Sequence, residues 1–197
     1  MTGIINYGAG NIFSLTAALD RLDIPYGMVN QSDELGDYDR IIIPGVGHAG
    51  AAMHKLQASG LATRVGQLTR PVLGICVGMQ LLTAYSEEGD SPLLDVVPLK
   101  TLHFENRIAG KVPHMGWNRV FPENDCPIFE NVGKDAYFYF VHAYFIEYNV
   151  TFTAAYTQYG LKFSAALQDR NFYGVQFHPE KSGEAGERLL LNFSRLK

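Results

Sequence analysis

Cysteine is scarce in this sequence, with two in 197 residues. Cys76 lies in a glycine-rich turn and Cys126 precedes Pro127 in a polar segment, so a disulfide framework is excluded, and no CxxC or Cys/His cluster suggests a structural zinc. The six histidines (His48, His54, His103, His114, His142 and His178) show neither HxH nor a helical i, i+4 pairing. No metal ligand set is expected.

Basic clusters are missing as well. Sixteen Lys and Arg stand against twenty Asp and Glu, for a formal net charge of −4, and without a Lys/Arg run or stripe the chain has no electrostatic footprint for nucleic acid. Apolar runs fall far short of a membrane span, and the N-terminal MTGIINYGAGN has neither a basic nor an apolar leader region. A cytoplasmic protein with no membrane partner is the expectation. Internal repeats, low-complexity tracts and linkers are absent too, and 47% hydrophobic against 18% charged residues fits one domain over 1–197.

The first half alternates strand-like and helix-like segments. Thr2 to Asn6 is a β-branched run, and Ile12, Leu15, Leu19 and Leu22 then recur at helical spacing. Pro25 to Val29 and Asp39 to Ile43 read as strands, with a helical stretch from about His48 to Gln57. Pro71 to Cys76 is an apolar strand, and Met79 to Tyr85 is expected to continue as a helix. Apolar strands joined through helices imply a mostly parallel central sheet flanked by helices, an α/β fold. After Tyr85 an acidic, turn-rich stretch leads into strands around Lys111, Ala136 to Tyr144, Thr151 to Thr157, Phe163 to Leu167 and Phe172 to Phe177. These read as an added β-meander, and Leu189, Leu190, Phe193 and Leu196 close the chain with a helical stripe.

Three stretches can carry chemistry. Gly74-Ile75-Cys76-Val77-Gly78 has the form GxCxG between a strand and a helix, a nucleophile elbow with sulfur in place of oxygen. Its glycines allow a turn too tight for Cβ atoms, a helix N-terminus favours the thiolate, and the Val77 N–H points where an oxyanion would form. Taken alone, the pattern fits a buried structural cysteine equally well. His178-Pro179-Glu180 supplies a base with a carboxylate beside it: the proline keeps His178 extended and forbids a helix, so Glu180 can hold one ring nitrogen while the other faces Cys76. Alone, it also fits a strand end with a solvated glutamate. Pro44-Gly45-Val46-Gly47 ends a parallel strand at the same sheet edge, where Val46 or Gly47 can offer a second oxyanion donor or simply form a glycine turn. Gly8-Ala9-Gly10 lacks the third glycine of a dinucleotide fingerprint.

Together these stretches resemble the class I glutamine amidotransferases, whose triad is Cys, His and Glu in that chain order. The NYGAGN, PGVG, KVPHMGWN and HPEKS stretches (residues 6–11, 44–47, 111–118 and 178–182) resemble most closely the members that serve a cyclase of histidine biosynthesis, and the likeness spans essentially the whole chain. It implies a flavodoxin-like core, no cofactor, and L-glutamine as substrate. Cys76 would attack the carboxamide carbon, His178 would shuttle the proton, and Glu180 would hold His178. Gln80, Glu88 and His142-Ala143-Tyr144 correspond to the glutamine contacts, the last mainly through backbone. There the pattern has Ser or Thr where this chain has Ala143. The resemblance also implies a partner, a (β/α)8-barrel cyclase subunit that receives the ammonia and makes imidazole glycerol phosphate, with Asn11, Trp117, Tyr139 and Lys181 at the interface. A class I amidotransferase serving a different synthase, a cysteine hydrolase of similar fold, and a non-catalytic partner protein that keeps the fold without turnover are the other readings.

Overall fold

A computed structural model describes residues 1–8, 10–123 and 125–197; Ala9 of the NYGAGN stretch lies outside them. In chain order the elements are β1 (Thr2–Ile5), α1 (Ile12–Arg21), β2 (Tyr26–Val29), β3 (Arg40–Ile43), α2 (Ala49–Ala58), α3 (Leu61–Val65), β4 (Val72–Ile75), α4 (Val77–Gln80), β5 (Thr83–Ser86), β6 (Ser91–Pro92) and β7 (Val97–His103). There follow β8 (His114–Arg119), β9 (Phe121–Pro122), β10 (Tyr137–His142), β11 (Tyr144–Glu147), β12 (Thr153–Tyr159), β13 (Leu161–Asp169), β14 (Phe172–Val175) and α5 (Gly183–Ser194).

The main sheet runs β2-β1-β3-β4-β14-β13-β11-β7-β5-β6. The five strands from β2 to β14 are mutually parallel, and every residue of β1, β4 and β14 is buried, as a sheet covered on both faces requires. In α1, Leu15, Ala18 and Leu19 form the buried stripe. Asn11 starts the helix: its side chain accepts from the Ser14 backbone N–H at 3.4 Å and donates to the Ser14 hydroxyl at 2.8 Å. In α5, Leu189, Leu190 and Phe193 form the corresponding stripe. Beyond β14 the sheet continues through antiparallel β13, β11 and β7, β7 then pairs in parallel with β5, and β8 and β10 form a ribbon of their own.

Three expectations need correction. The helix after Cys76 is a single turn, Val77–Gln80, and residues 83–86 are a strand. The Thr83 hydroxyl donates to the Gln80 carbonyl at 2.8 Å and closes the helix, while β-branched Thr83 and aromatic Tyr85 pair with β7. The strand expected around Lys111 begins at His114, since Pro113 has no N–H for a ladder. Finally, Pro179 does not forbid a helix: it opens a 3-10 turn over Pro179–Lys181, because proline is tolerated at a first helical position.

Candidate active site

β3, β4 and β14 lie side by side, and being parallel they deliver PGVG, GxCxG and HPE to one carboxyl edge. At that edge Cys76 has φ 55° and ψ −111°, a left-handed conformation that a non-glycine residue adopts only where its surroundings impose it. The imposing contacts are specific. A Cβ on Gly78 would come within 1.9 Å of the Ile43 carbonyl oxygen, and one on Gly74 within 2.4 Å of the Gly78 carbonyl oxygen. The glycines let β4, α4 and β3 approach at backbone contact. The Cys76 N–H donates to the Val175 carbonyl at 2.8 Å and its carbonyl accepts from the Met79 and Gln80 N–H groups at 3.0 and 3.2 Å, so the turn is fixed on both sides of the sulfur.

His178 follows β14 in extended conformation. Its N–H donates to the Tyr139 carbonyl at 2.9 Å, and its Nδ1 stands 2.8 Å from Glu180 Oε1, with both side chains almost fully buried. Among the described residues, His178 Nε2 and Glu180 Oε2 are buried without hydrogen-bond partners. Burial opposes the imidazolium, yet the adjoining Cys76 sulfur, as its thiolate, and the Glu180 carboxylate outweigh it and push the His178 pKa up to about 10. The site therefore favours a charged histidine between a sulfur and a carboxylate.

One cleft is lined by Cys76, His178, Val46, Gly47, Val77, Gln80, Glu88, His142, Ala143 and Tyr144, so every residue expected at the oxyanion and substrate positions lines it with the cysteine and histidine. The local contacts refine their roles. The Val77 N–H, expected as a free oxyanion donor, donates to the Gly45 carbonyl at 3.3 Å. The preceding carbonyl, of Pro44, accepts from the buried Tyr7 hydroxyl at 2.8 Å, and burial followed by proximity to Cys76 raises the Tyr7 pKa. The Glu88 carboxylate accepts from the Ala49 N–H at the start of α2. The Ala143 carbonyl accepts from Phe104 N–H at 3.0 Å and that of Tyr144 from Gln80 and His142, so these two carbonyls already have partners within the chain.

The residues expected at a partner interface lie beside the cleft. In the β8–β10 ribbon Trp117 pairs with Tyr139, their rings 6.2 Å apart in a T-shaped contact, and Lys181 Nζ lies 5.9 Å from the Tyr139 ring centre. Alternation puts Met115, Trp117 and Tyr137 outside, all more than half exposed, and His114, Phe138, Phe140 and His142 inside. Asn11 lines a small adjoining cavity with His178 and Glu180. Sequence reasoning missed Tyr7 and Gln176. A polar Gln176 between Val175 and Phe177, in an otherwise apolar run, is the signal that could have singled the latter out.

The model of the family "Glutamine amidotransferase class-I" matches residues 4–196. The subunit HisH of imidazole glycerol phosphate synthase from Haemophilus influenzae is 45% identical over 193 residues, covering 96% of this chain and 94% of that protein. The same subunit from Pasteurella multocida is 46% identical over 190 residues, covering 96% and 95%. The solved structure of PurLQS from Thermotoga maritima shares the fold, with a TM-score of 0.73 at 17% identity, over 98% of this chain and 96% of that one. With a family match over nearly every residue and relatives this similar from end to end, the chain belongs to the class I glutamine amidotransferases.

Proposed function

We propose that this chain is the glutaminase subunit of an imidazole glycerol phosphate synthase, and that Cys76, His178 and Glu180 are its catalytic triad. The observation that carries the triad is the strained Cys76 facing one cleft with a buried His178 whose Nδ1 is held by Glu180 at 2.8 Å. His178 takes the thiol proton, and the Cys76 thiolate attacks the carboxamide carbon of L-glutamine. The tetrahedral oxyanion collapses to a γ-glutamyl thioester as His178 returns the proton to the leaving ammonia. His178 then activates a water that hydrolyses the thioester, and glutamate leaves. Glu180 fixes the ring tautomer and stabilises the imidazolium throughout. Glu88 meets the substrate ammonium, and a backbone N–H of Val46 or Gly47, with that of Val77, binds the oxyanion.

Ammonia released into neutral water is protonated and loses its nucleophilicity, so a closed route to a second active site is needed. A (β/α)8-barrel cyclase subunit covering the exposed Trp117 face of the ribbon supplies one, in keeping with the synthase named for the relatives. The test uses the complex with the cyclase. Cys76→Ala is expected to abolish glutamine-dependent synthesis while added ammonia still supports it. Loss of both would make Cys76 structural and end this reading.

A further inference from the structure

Gln176 follows β14 with no exposed surface, and its Nε2 stands 3.7 Å from Cys76 Sγ, within reach of an N–H···S hydrogen bond. Its Oε1 accepts from Gln80 Nε2 at 3.1 Å, and the same Gln80 nitrogen reaches the Tyr144 carbonyl at 3.4 Å. That carbonyl also faces His142 Nδ1 at 2.6 Å. His142 Nε2 meets His114 Nδ1 at 2.9 Å, and His114 Nε2 meets Asn118 Nδ2 at 3.2 Å. A continuous polar chain thus runs from the β8–β10 ribbon to the sulfur.

The direction of every bond in the chain follows from its ends. A carbonyl only accepts, so His142 carries its hydrogen on Nδ1 and accepts at Nε2. His114 must then donate from Nδ1 and accept at Nε2, which an Asn118 amide hydrogen satisfies, while the second Asn118 hydrogen goes to the Gln158 carbonyl at 3.1 Å. From the other side, Gln80 spends its Nε2 hydrogens on Tyr144 and Gln176, which fixes Oε1 of Gln176 toward Gln80 and its N–H toward sulfur. Turning the Gln176 amide over would set donor against donor. Gln176 is 0% exposed, Gln80 2%, His114 3% and His142 5%, so water cannot readily replace a broken link, and the cost of breaking one is that of a buried unpaired polar group. Burial also holds the two histidines neutral, pushing their pKa values down to about 4 and about 3.

We propose that Gln176 is a positioning residue for Cys76, whose amide N–H holds the sulfur and favours its thiolate, and that Gln80, itself fixed by the Tyr144 carbonyl, sets its orientation. The inference deepens the reading of Cys76 as nucleophile and rests on it. The other groups acting on the sulfur are His178, backed by Glu180, and Tyr7 from the segment after β1. None of them touches Gln176 in the chain just described, so its loss is separable from theirs.

The test is the rate of iodoacetamide alkylation of Cys76 in the full chain between pH 5 and 10, read by peptide mapping that separates Cys76 from the buried Cys126. Gln176→Met keeps the side-chain length and removes the donor. It is expected to slow labelling at pH 7 about tenfold and to raise the midpoint by about one pH unit, the size of a lost hydrogen bond to a charged acceptor. Gln80→Met, which removes the donor that fixes the Gln176 amide, is expected to slow labelling about threefold in the same direction, because the Gln176 oxygen is then free to turn toward the sulfur. In the cyclase complex the Gln176 variant should lose kcat with KM for glutamine within about twofold. Wild-type rate and midpoint in Gln176→Met would overturn the positioning role. Should Gln176→Met not fold, unchanged labelling in a folded Gln80→Met overturns the positioning role instead. Wild-type Cys76 that fails to label anywhere between pH 5 and 10 would defeat the nucleophile itself, a distinct result.

Discussion

The backbone N–H of Val77 donates to the carbonyl oxygen of Gly45 at 3.3 Å. The same N–H sits one residue after Cys76, the proposed nucleophile, where the oxyanion of its tetrahedral intermediate would form. An N–H committed to a carbonyl is not available to an oxyanion, and that carbonyl belongs to the turn that must offer the second donor. Glutamine turnover by the isolated chain is therefore expected to be slight and to rise by two or more orders of magnitude, on the order of one oxyanion donor's worth, when the cyclase and its ligand are bound. Glutamate release with and without the ligand-bound cyclase measures this. High turnover by the chain alone would contradict it.

Tyr7 holds the other end of that turn through the Pro44 carbonyl. Replacing it by phenylalanine removes one buried hydrogen bond of about 1 kcal/mol without changing the ring. Tyr7→Phe is expected to raise basal glutamate release by the free chain a few-fold while narrowing the activation on binding the cyclase. A basal rate equal to or below the wild type's would show that the contact does not restrain the turn.

The elbow glycines are expected to be intolerant on steric grounds. In Gly78→Ala the new methyl would lie 1.9 Å from the Ile43 carbonyl oxygen, a backbone atom that cannot move without parting β3 from β4. A loss of about 3 kcal/mol or more in urea denaturation is expected. Gly36→Ala, where nothing lies within 4 Å, is the control and should change stability by less than about 1 kcal/mol.

Stability should fall on both sides of neutrality, for opposite reasons. His114 and His142 have pKa values lowered by burial from 6.5 to about 4 and about 3, so the unfolded chain binds more protons below pH 6.5 and acidification through that window destabilises the fold. His178 is raised from 6.5 to about 10. Its stabilisation is complete below pH 6.5 and is lost as the pH climbs toward 10. Denaturation midpoints from pH 4 to 10 should trace a dome, and His178→Asn should flatten its alkaline flank only. An unchanged alkaline flank in that variant would place the loss elsewhere.

Trp117 is 56% exposed and stacks edge-on against Tyr139. Trp117→Ala is expected to leave the melting temperature within a few degrees of the wild type while weakening the cyclase complex by about 2 kcal/mol, the range of an aromatic hot spot. Isothermal titration with the cyclase decides this, and unaltered affinity would move the interface off the ribbon.

The local geometry around Cys76 and the His178–Glu180 contact were legible because each lies within a short pattern whose geometry the chain itself dictates. Gly74 and Gly78 around Cys76 allow one sharp turn, and Pro179 keeps His178 extended while Glu180 returns to it two residues later. The length of the elbow helix was not legible. Its apolar residues 79–82 fit a helix or a buried turn, and the Thr83 hydroxyl on the Gln80 carbonyl together with pairing to β7 ended it. The ribbon was half legible: the alternation of Tyr137, Phe138, Tyr139 and Phe140 showed two aromatic faces, but not which one the core would take.

By itself the sequence determined the parallel order of strand and helix in the first half, the sharp turn at Cys76 and the pairing of His178 with Glu180, all short-range consequences of glycine, proline and apolar spacing. The tertiary structure alone decided that the Val77 N–H is spent on Gly45, that Tyr7 restrains Pro44, and that Gln176, a hundred positions along the chain from Cys76, holds its sulfur. Those contacts join segments far apart in sequence, and their formation depends on the distance and direction of single polar atoms, which only the packing of the sheet and its loops can set.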